Sequence, residues 1–159
     1  MAAAIRRDAL KRPDCPSAPG IADDWTVRTV DRPAGQVSLP PLLLAVSAPT
    51  SEVAFFAPDM SSGAFILEAP SLASLELPKD SPLPPSAIST CRLRVGSAEG
   101  VVSLLSRRQP AIAGDSSHLA FLQVAGPGEH AFRAGAFAAT RALRDSLVAA
   151  LLAFQPNPK

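Results

Sequence analysis

Side chains that could bind a metal ion are few in this sequence and lie far apart. The strongest candidates are two histidines, His118 and His130, and two cysteines, Cys15 and Cys91. A protein zinc site needs three or four such ligands brought together, usually at short spacings along the chain. The two cysteines are far apart in the sequence, and the histidines are in different predicted elements. The pattern therefore predicts no metal site.

One stretch, Asp115-Ser116-Ser117-His118, contains the side-chain types of a serine-hydrolase triad. The members of a triad converge from separate parts of a fold, and adjacent residues of a chain seldom reach that geometry. The sequence also contains no Gly-x-Ser-x-Gly nucleophile elbow. The stretch is therefore predicted to be a polar turn that leads into a strand.

The stretch Gly126-Pro127-Gly128 lies between a predicted strand and a predicted helix, where phosphate-binding loops occur, and Arg133 follows it. Such loops carry a further glycine and a lysine that are missing here, so a tight turn is the simpler interpretation. Carboxylates are scattered singly and form no general acid and base pair. We therefore expect a protein that is not an enzyme, with no catalytic, cofactor-binding or metal-binding residues and no cofactor.

Composition narrows the class of protein further. The chain has 159 residues, of which 18% are charged, and a formal net charge of +1. This balance suits one domain with its own core and argues against a dedicated nucleic-acid binder. The four arginines between residues 92 and 108 could form a basic patch, but they lack the interleaved aromatic residues that stack on bases. No run of 18 apolar residues predicts a membrane span.

The cysteine count bears on the compartment. Two cysteines are too few for a disulfide-built scaffold, and Cys15 lies in a stretch with the composition of an unfolded leader. A reducing compartment is expected, so the protein is predicted to be cytoplasmic or nuclear. The first twelve residues carry four basic groups and one acidic group, and a short amphipathic import helix there is the alternative, which would place the protein in an organelle.

The sequence predicts a single domain with two tails. Residues 1–24 contain three prolines and few large apolar groups, which predicts a flexible leader, and residues 156–159 form a tail. Residues 25–155 form the domain, which a proline-rich loop interrupts at residues 70–86. The predicted strands cover residues 25–30, 42–46, 52–57, 64–68, 88–95 and 118–125, and the predicted helices cover residues 97–108 and 132–154.

The connections between the first strands are short, as between antiparallel neighbours. We therefore expect an α+β fold: a mostly antiparallel sheet of about six strands with two helices, the longer one C-terminal. In that long helix the apolar residues between Phe137 and Phe154 fall in one stripe, which would pack on the sheet. Arg133 and Arg144 fall at one edge of the stripe, where they either lie along its rim or face an acidic partner.

The order of elements carries a family resemblance. A strand that reaches Ser89-Thr90-Cys91-Arg92-Leu93 precedes a short helix ending in Leu104-Leu105-Ser106-Arg107-Arg108, and an apolar strand, a turn and a long terminal helix follow. This order resembles the small proteasome assembly chaperones of the third and fourth types over residues 25–155. The resemblance implies a non-enzymatic heterodimer with a second small assembly chaperone, which holds proteasome α subunits in order during assembly of the 20S core.

The resemblance also suggests where partners would bind. The candidate partner-binding residues are Arg107, Arg108, Arg133, Arg141 and Arg144. The expected partners are proteins, with no nucleic acid and no membrane, and the chain is expected in a hetero-oligomer. Because fold order does not fix the partner, the alternative function is a small adaptor or scaffold of the longin-like or roadblock-like type in a trafficking or signalling complex.

Overall fold

A computed structural model describes residues 2–15, 23–31, 34–46, 53–59, 61–68, 89–107, 117–126 and 130–156. Within these ranges the chain forms two helices and ten strands. In chain order they are α1 (Ala2–Leu10), β1 (Thr26–Asp31), β2 (Ala34–Leu39), β3 (Leu44–Val46), β4 (Val53–Phe56), β5 (Ser62–Glu68), β6 (Ser89–Val95), β7 (Ala98–Arg107), β8 (Ser117–Ala125), β9 (Ala131–Ala138), α2 (Arg141–Leu152) and β10 (Gln155–Pro156).

A seven-stranded antiparallel sheet organises the molecule. Its strand order is β3-β4-β5-β9-β8-β7-β6, so two meanders meet where β5 pairs with β9. A smaller antiparallel sheet has the order β1-β2-β10. The predicted α+β class, with a mostly antiparallel sheet and a longer C-terminal helix, is therefore confirmed, although the described strands outnumber the expected six.

One face of the large sheet packs against α2 and the small sheet. Because side chains alternate along a strand, Val102, Leu122 and Ala134 project to the same face, and all three are buried. Leu147 and Leu151 of α2 lie in the same hydrophobic cluster and are 0% exposed. The small sheet adds further buried side chains to this cluster, which are Val30, Val37 and Leu39. The main core therefore lies between the large sheet on one side and α2 with the small sheet on the other.

The opposite face of the large sheet carries α1 at one end. Ile5 and Ala9 of α1 are 0% exposed and form a second cluster with Val101 of β7 and Ala125 of β8. Neighbouring residues Val101 and Val102 thus project to opposite faces, and both are buried. The large sheet is covered on both faces in this region, which explains why β7 has apolar residues on both of its faces.

The sequence places a helix at residues 97–108, and this prediction is wrong. β6 and β7 instead form a hairpin with a two-residue turn, Gly96-Ser97, in which Gly96 has a φ of +59°. Glycine reaches such an angle without a steric penalty, and a Gly-Ser pair between two apolar runs is typical of tight hairpin turns. Burial on both faces of β7 gave its apolar residues a spacing that also fits a helix.

The predicted helix at 132–154 is correct only in its second half. Residues Ala131–Ala138 form β9, in which Phe132, Ala134 and Ala136 face the main core. The helix α2 begins at Arg141 because Thr140 caps it: the Thr140 hydroxyl accepts a hydrogen bond of 3.2 Å from the backbone N–H of Leu143. Alanine, which favours helices, is therefore a misleading signal here, since its small side chain also fits beneath α2.

The leader is also different from the prediction over the residues that the structure describes. Ala2–Leu10 forms the packed helix α1, and residues 13–15 lie beside β6. Residues 16–22, the predicted loop at 70–86 and the last three residues of the tail lie outside the described residues. The domain therefore includes part of the segment that the sequence analysis assigned to a leader.

Burial of α2 gives a direct stability test. Leu151→Ala is expected to lower the free energy of unfolding by about 2–5 kcal/mol, because it removes buried methyl groups and leaves a cavity. Leu10→Ala is the matched control, since Leu10 is 70% exposed at the end of α1, and it is expected to change stability by less than about 0.5 kcal/mol. Urea denaturation measures both, and equal effects would contradict the packing of α2.

Candidate protein-interaction surfaces

The part of the α1-bearing face that α1 leaves uncovered is rich in aromatic side chains. Register places Leu44, Phe56, Gly63 and Phe137 in one row across β3, β4, β5 and β9. The next row on the same face contains Phe65, Gly135 and Phe121. We call these seven residues the aromatic face. Leu44 is 54% exposed, and the four phenylalanines are partly exposed.

Two glycines let the rings of the aromatic face lie close to the backbone. Phe56 and Phe137 lie on either side of Gly63 with ring centroids 5.9 Å apart. Phe65 and Phe121 flank Gly135 in the same way, with centroids 6.5 Å apart. A Cβ atom at Gly135 would meet the Phe65 ring. Each glycine therefore makes room for neighbouring rings, which lie across the sheet rather than standing upright on it.

The aromatic face has the chemistry of a protein-binding surface. None of the described residues in its two rows is charged; beyond the seven, these rows contain Val46, Ala54, Thr90, Ser103, Leu105 and Leu119. Rigid aromatic side chains supply large contact areas at low entropic cost and are enriched in protein interfaces. This surface was not predicted from the sequence, although the spacing of phenylalanine and glycine in β5 and β9 is a signal that could have indicated it.

The candidate arginines are not gathered in one place. Arg133 lies on β9, and its side chain projects to the face opposite α2. The expectation that Arg133 and Arg144 share one edge of a helix is therefore wrong, because β9 and α2 are separate elements. Arg107 is the last residue of β7, and nothing is described of its side chain, while Arg108 lies outside the described residues.

Arg141 and Arg144 lie together in the first turns of α2 but differ in exposure. Arg141 is exposed, whereas Arg144 is 6% exposed. The Arg144 guanidinium pairs with Asp145: Nε donates to Oδ1 at 3.0 Å, and a terminal nitrogen lies 2.9 Å from the same oxygen. Cys15, Leu104 and Val148 line a small cavity beside this pair. Arg144 is therefore part of the packing of α2, and Arg141 remains the arginine of α2 that a partner could reach.

His118 is near this charged group. Burial lowers the pKa of His118 below its ordinary value of 6.5, and the positive charges of Arg144 and Arg141 lower it further, while Asp145 acts in the opposite direction. His118 lies at the start of β8, opposite Ala138, at the end of the sheet where α2 begins. His118 and the start of α2 therefore lie at the same end of the molecule, where the charges of the helix act on the imidazole.

The two stretches that resembled a phosphate-binding loop and a catalytic triad in the sequence are only partly described. The backbone N–H of Gly126 donates a 2.8 Å hydrogen bond to the carbonyl of His130, and Pro127 and Gly128 lie outside the described residues. Asp115 and Ser116 also lie outside them.

Across the ranges that the structure describes, no three histidine, cysteine, aspartate or glutamate side chains cluster as metal ligands. Within the same ranges, no helix has the length and hydropathy needed to span a membrane.

The two cysteines are joined, which the sequence analysis did not anticipate. Cys15 and Cys91 form a disulfide that links the segment after α1 to β6. Cys91 is 3% exposed and faces the main core, and Cys15 packs against the same cluster. The predicted reducing compartment rested on the low cysteine count and on the composition of the stretch around Cys15, and it stays a prediction.

Comparison with known proteins does not assign this chain to a family. No protein-family model matches the sequence, and no curated protein matches it significantly.

Burial separates the roles of the two arginines of α2. Arg144→Ala is expected to lower the free energy of unfolding by about 1–3 kcal/mol, because it leaves the partly buried Asp145 carboxylate without its cation. Arg141→Ala, the matched control one turn earlier, is expected to change it by less than about 0.5 kcal/mol. Urea denaturation at neutral pH measures both, and equal small effects would contradict a structural role for Arg144.

The lowered pKa of His118 predicts how stability depends on pH. With the folded pKa below 6.5, the unfolded chain binds the proton first as pH falls. The free energy of unfolding should therefore fall as pH falls through 6.5 and level off below the folded pKa. The difference in this free energy between pH 7.5 and pH 5.5 should be smaller in His118→Asn than in the original chain. An unchanged difference would show that His118 does not contribute.

Proposed function

We propose that this protein is a non-enzymatic protein-binding subunit that acts in the assembly of a larger complex. The observation that carries this proposal is the aromatic face, where four partly exposed phenylalanines and the exposed Leu44 lie together on one side of the sheet. Single exposed apolar residues are common on protein surfaces, but a contiguous patch of aromatic residues marks a site of association. Because the described residues of its two rows carry no charge, another protein's apolar surface is the ligand that fits it.

The specific form of the proposal comes from the family resemblance. In that form the chain is one half of a heterodimer with a second small assembly chaperone, and it binds proteasome α subunits during assembly of the 20S core in the cytoplasm or nucleus. Support for this form is a terminal helix packed on an antiparallel sheet. The segment 97–108 now counts against it, because a strand stands where the resemblance requires a helix.

The specific form of the proposal places a requirement on the binding surface. A chaperone that leaves its client needs an interface of modest area with a polar rim, so that the complex can dissociate. The aromatic face satisfies the apolar part of this requirement. Arg141, exposed at the start of α2, is the cation that would add polar contacts at a separate site.

Leu44 allows the surface to be tested with little risk to the fold. Leu44→Asp places a charge on the aromatic face, on the edge strand β3, and should reduce capture of the partner at least tenfold. Val27→Asp is the matched control, because Val27 is 58% exposed on a different sheet, and it should leave capture unchanged. Tagged chains expressed in cells of the source organism, followed by mass spectrometry of the captured proteins, provide the measurement.

The identity of the captured proteins separates the alternatives. Proteasome α subunits together with a second small protein would support the specific form. Trafficking or signalling proteins would instead support the adaptor or scaffold alternative. Equal capture by the Leu44→Asp and Val27→Asp chains would contradict a role for the aromatic face in either function.

A further inference from the structure

The outer edge of β6 is partly occupied by a short segment of the same chain. Pro13–Cys15, which we call the N-terminal strap, runs parallel to β6 beside Arg92. The backbone N–H of Arg92 donates to the carbonyl of Pro13 at 2.8 Å, and the N–H of Cys15 donates to the carbonyl of Arg92 at 2.9 Å. The strap therefore pairs with the sheet edge as an added strand would.

An ion pair also joins the strap to β6. The Arg92 guanidinium donates from Nε to an Asp14 oxygen at 2.6 Å, and this hydrogen bond raises the pKa of Arg92 further above its ordinary value. Arg94, two residues along the same edge, has a side chain that is 69% exposed and lies 3.5 Å from Glu99. Of the two arginines along this edge, Arg92 therefore pairs with the strap and Arg94 pairs with Glu99 of β7.

The groove beside the strap extends beyond the space that the strap fills. An open groove of about 380 Å³ is lined by Asp14, Cys15, Arg92, Leu93, Arg94 and Glu99. Its walls contain two arginines, two carboxylates and the apolar Leu93. Because Arg94 is already paired with Glu99, Arg92 is the cation that another extended segment could meet here, with a carboxylate in place of Asp14.

The noncovalent contacts of the strap are weak, and the disulfide supplements them. They are two backbone hydrogen bonds, one exposed ion pair and the packing of the partly buried Cys15 against the main core. Exposed ion pairs are typically worth about 0–1 kcal/mol. Cys15–Cys91 adds a covalent link at the same place. Whether the strap stays on the edge therefore depends chiefly on the oxidation state of this pair.

We propose that the β6 edge is a docking edge for an extended segment of a partner protein that carries a carboxylate at the position of Asp14. The N-terminal strap occupies this edge in the same chain while Cys15–Cys91 is oxidised. A dithiol reductant opens the edge: it supplies two electrons and two protons, becomes a disulfide itself, and leaves Cys15 and Cys91 as thiols. The partner segment then replaces the strap and pairs a carboxylate with Arg92. This inference rests on the proposed function only in taking the ligand to be a protein, and it does not involve the aromatic face.

Disulfide tethering tests the edge directly. The full chain carrying Cys15→Ser has Cys91 as its remaining thiol, and the probe is a peptide that copies residues 9–18, with its cysteine joined to glutathione. The Cys91 thiolate attacks the peptide sulfur, so that a Cys91–peptide disulfide forms, the peptide–glutathione bond breaks and glutathione leaves as a thiol. In a glutathione buffer, the equilibrium amount of adduct measured by mass spectrometry reports how well the peptide occupies the edge.

Charge reversal provides the matched controls. The native peptide should give about fivefold more adduct than the same peptide with Asp14→Lys, because an attractive exposed pair becomes a repulsive one. The chain that also carries Arg92→Glu should show the opposite preference. Equal adduct with every peptide, or no adduct with any, would overturn the proposal, as would an oxidised original chain whose copies are joined to one another through Cys15 and Cys91.

Hydrogen exchange shows whether reduction of the disulfide releases only the strap or destabilises the whole large sheet. Reduction of the original chain with dithiothreitol should speed exchange of the Arg92 and Cys15 amides at least tenfold and leave β8 and β9 protected. Loss of protection throughout the large sheet would show that the disulfide holds the fold together, and unchanged protection at Arg92 would show that the strap does not leave. Either result would overturn the proposal, and neither would affect the capture test of the aromatic face.

Discussion

The alternation of side chains along β7, β8 and β9 determines how the rest of the molecule can be built. These are three consecutive strands of one meander, and their register assigns each residue to the face under α2 or to the face under α1. Small residues on the first face, such as Ala134 and Ala136, let α2 lie close to the sheet. On the second face, α1 covers one end and leaves the phenylalanines beyond it partly exposed. The core and the aromatic face are thus two consequences of one register.

Much of the fold could be predicted because the relevant patterns are local. Each of the six predicted strands corresponds to a strand in the structure, and the second half of the terminal helix is correct. The errors occur where a local sequence pattern is compatible with both a helix and a strand. The apolar run of β7 fits a helix as well as a doubly covered strand, and only the contact of Val101 with α1 decides between them. The alanines before Thr140 favour a helix intrinsically, but pairing of β9 with β5 and β8 on either side overrides that preference.

The candidate sites were harder to predict, because they depend on residues that are distant in sequence. The aromatic face joins residues of β3, β4, β5, β8 and β9, and its continuity follows from strand order, which the sequence does not reveal. Arg144 was selected for its charge, yet its burial beside Asp145 gives it a structural role that spacing alone could not indicate. The pairing of Cys15 with Cys91 likewise requires that the segment after α1 lies along β6.

The disulfide between Cys15 and Cys91 changes the covalent connectivity of the chain. The two residues are 76 positions apart, so β1 to β5 lie within a covalent ring, whereas α1 and everything from β7 onward lie on its two free arms. A protease that cuts once anywhere inside the ring opens it without separating the fragments. Such a nicked molecule would keep the mass of the intact chain plus one water and would divide in two only after the sulfur bridge is broken.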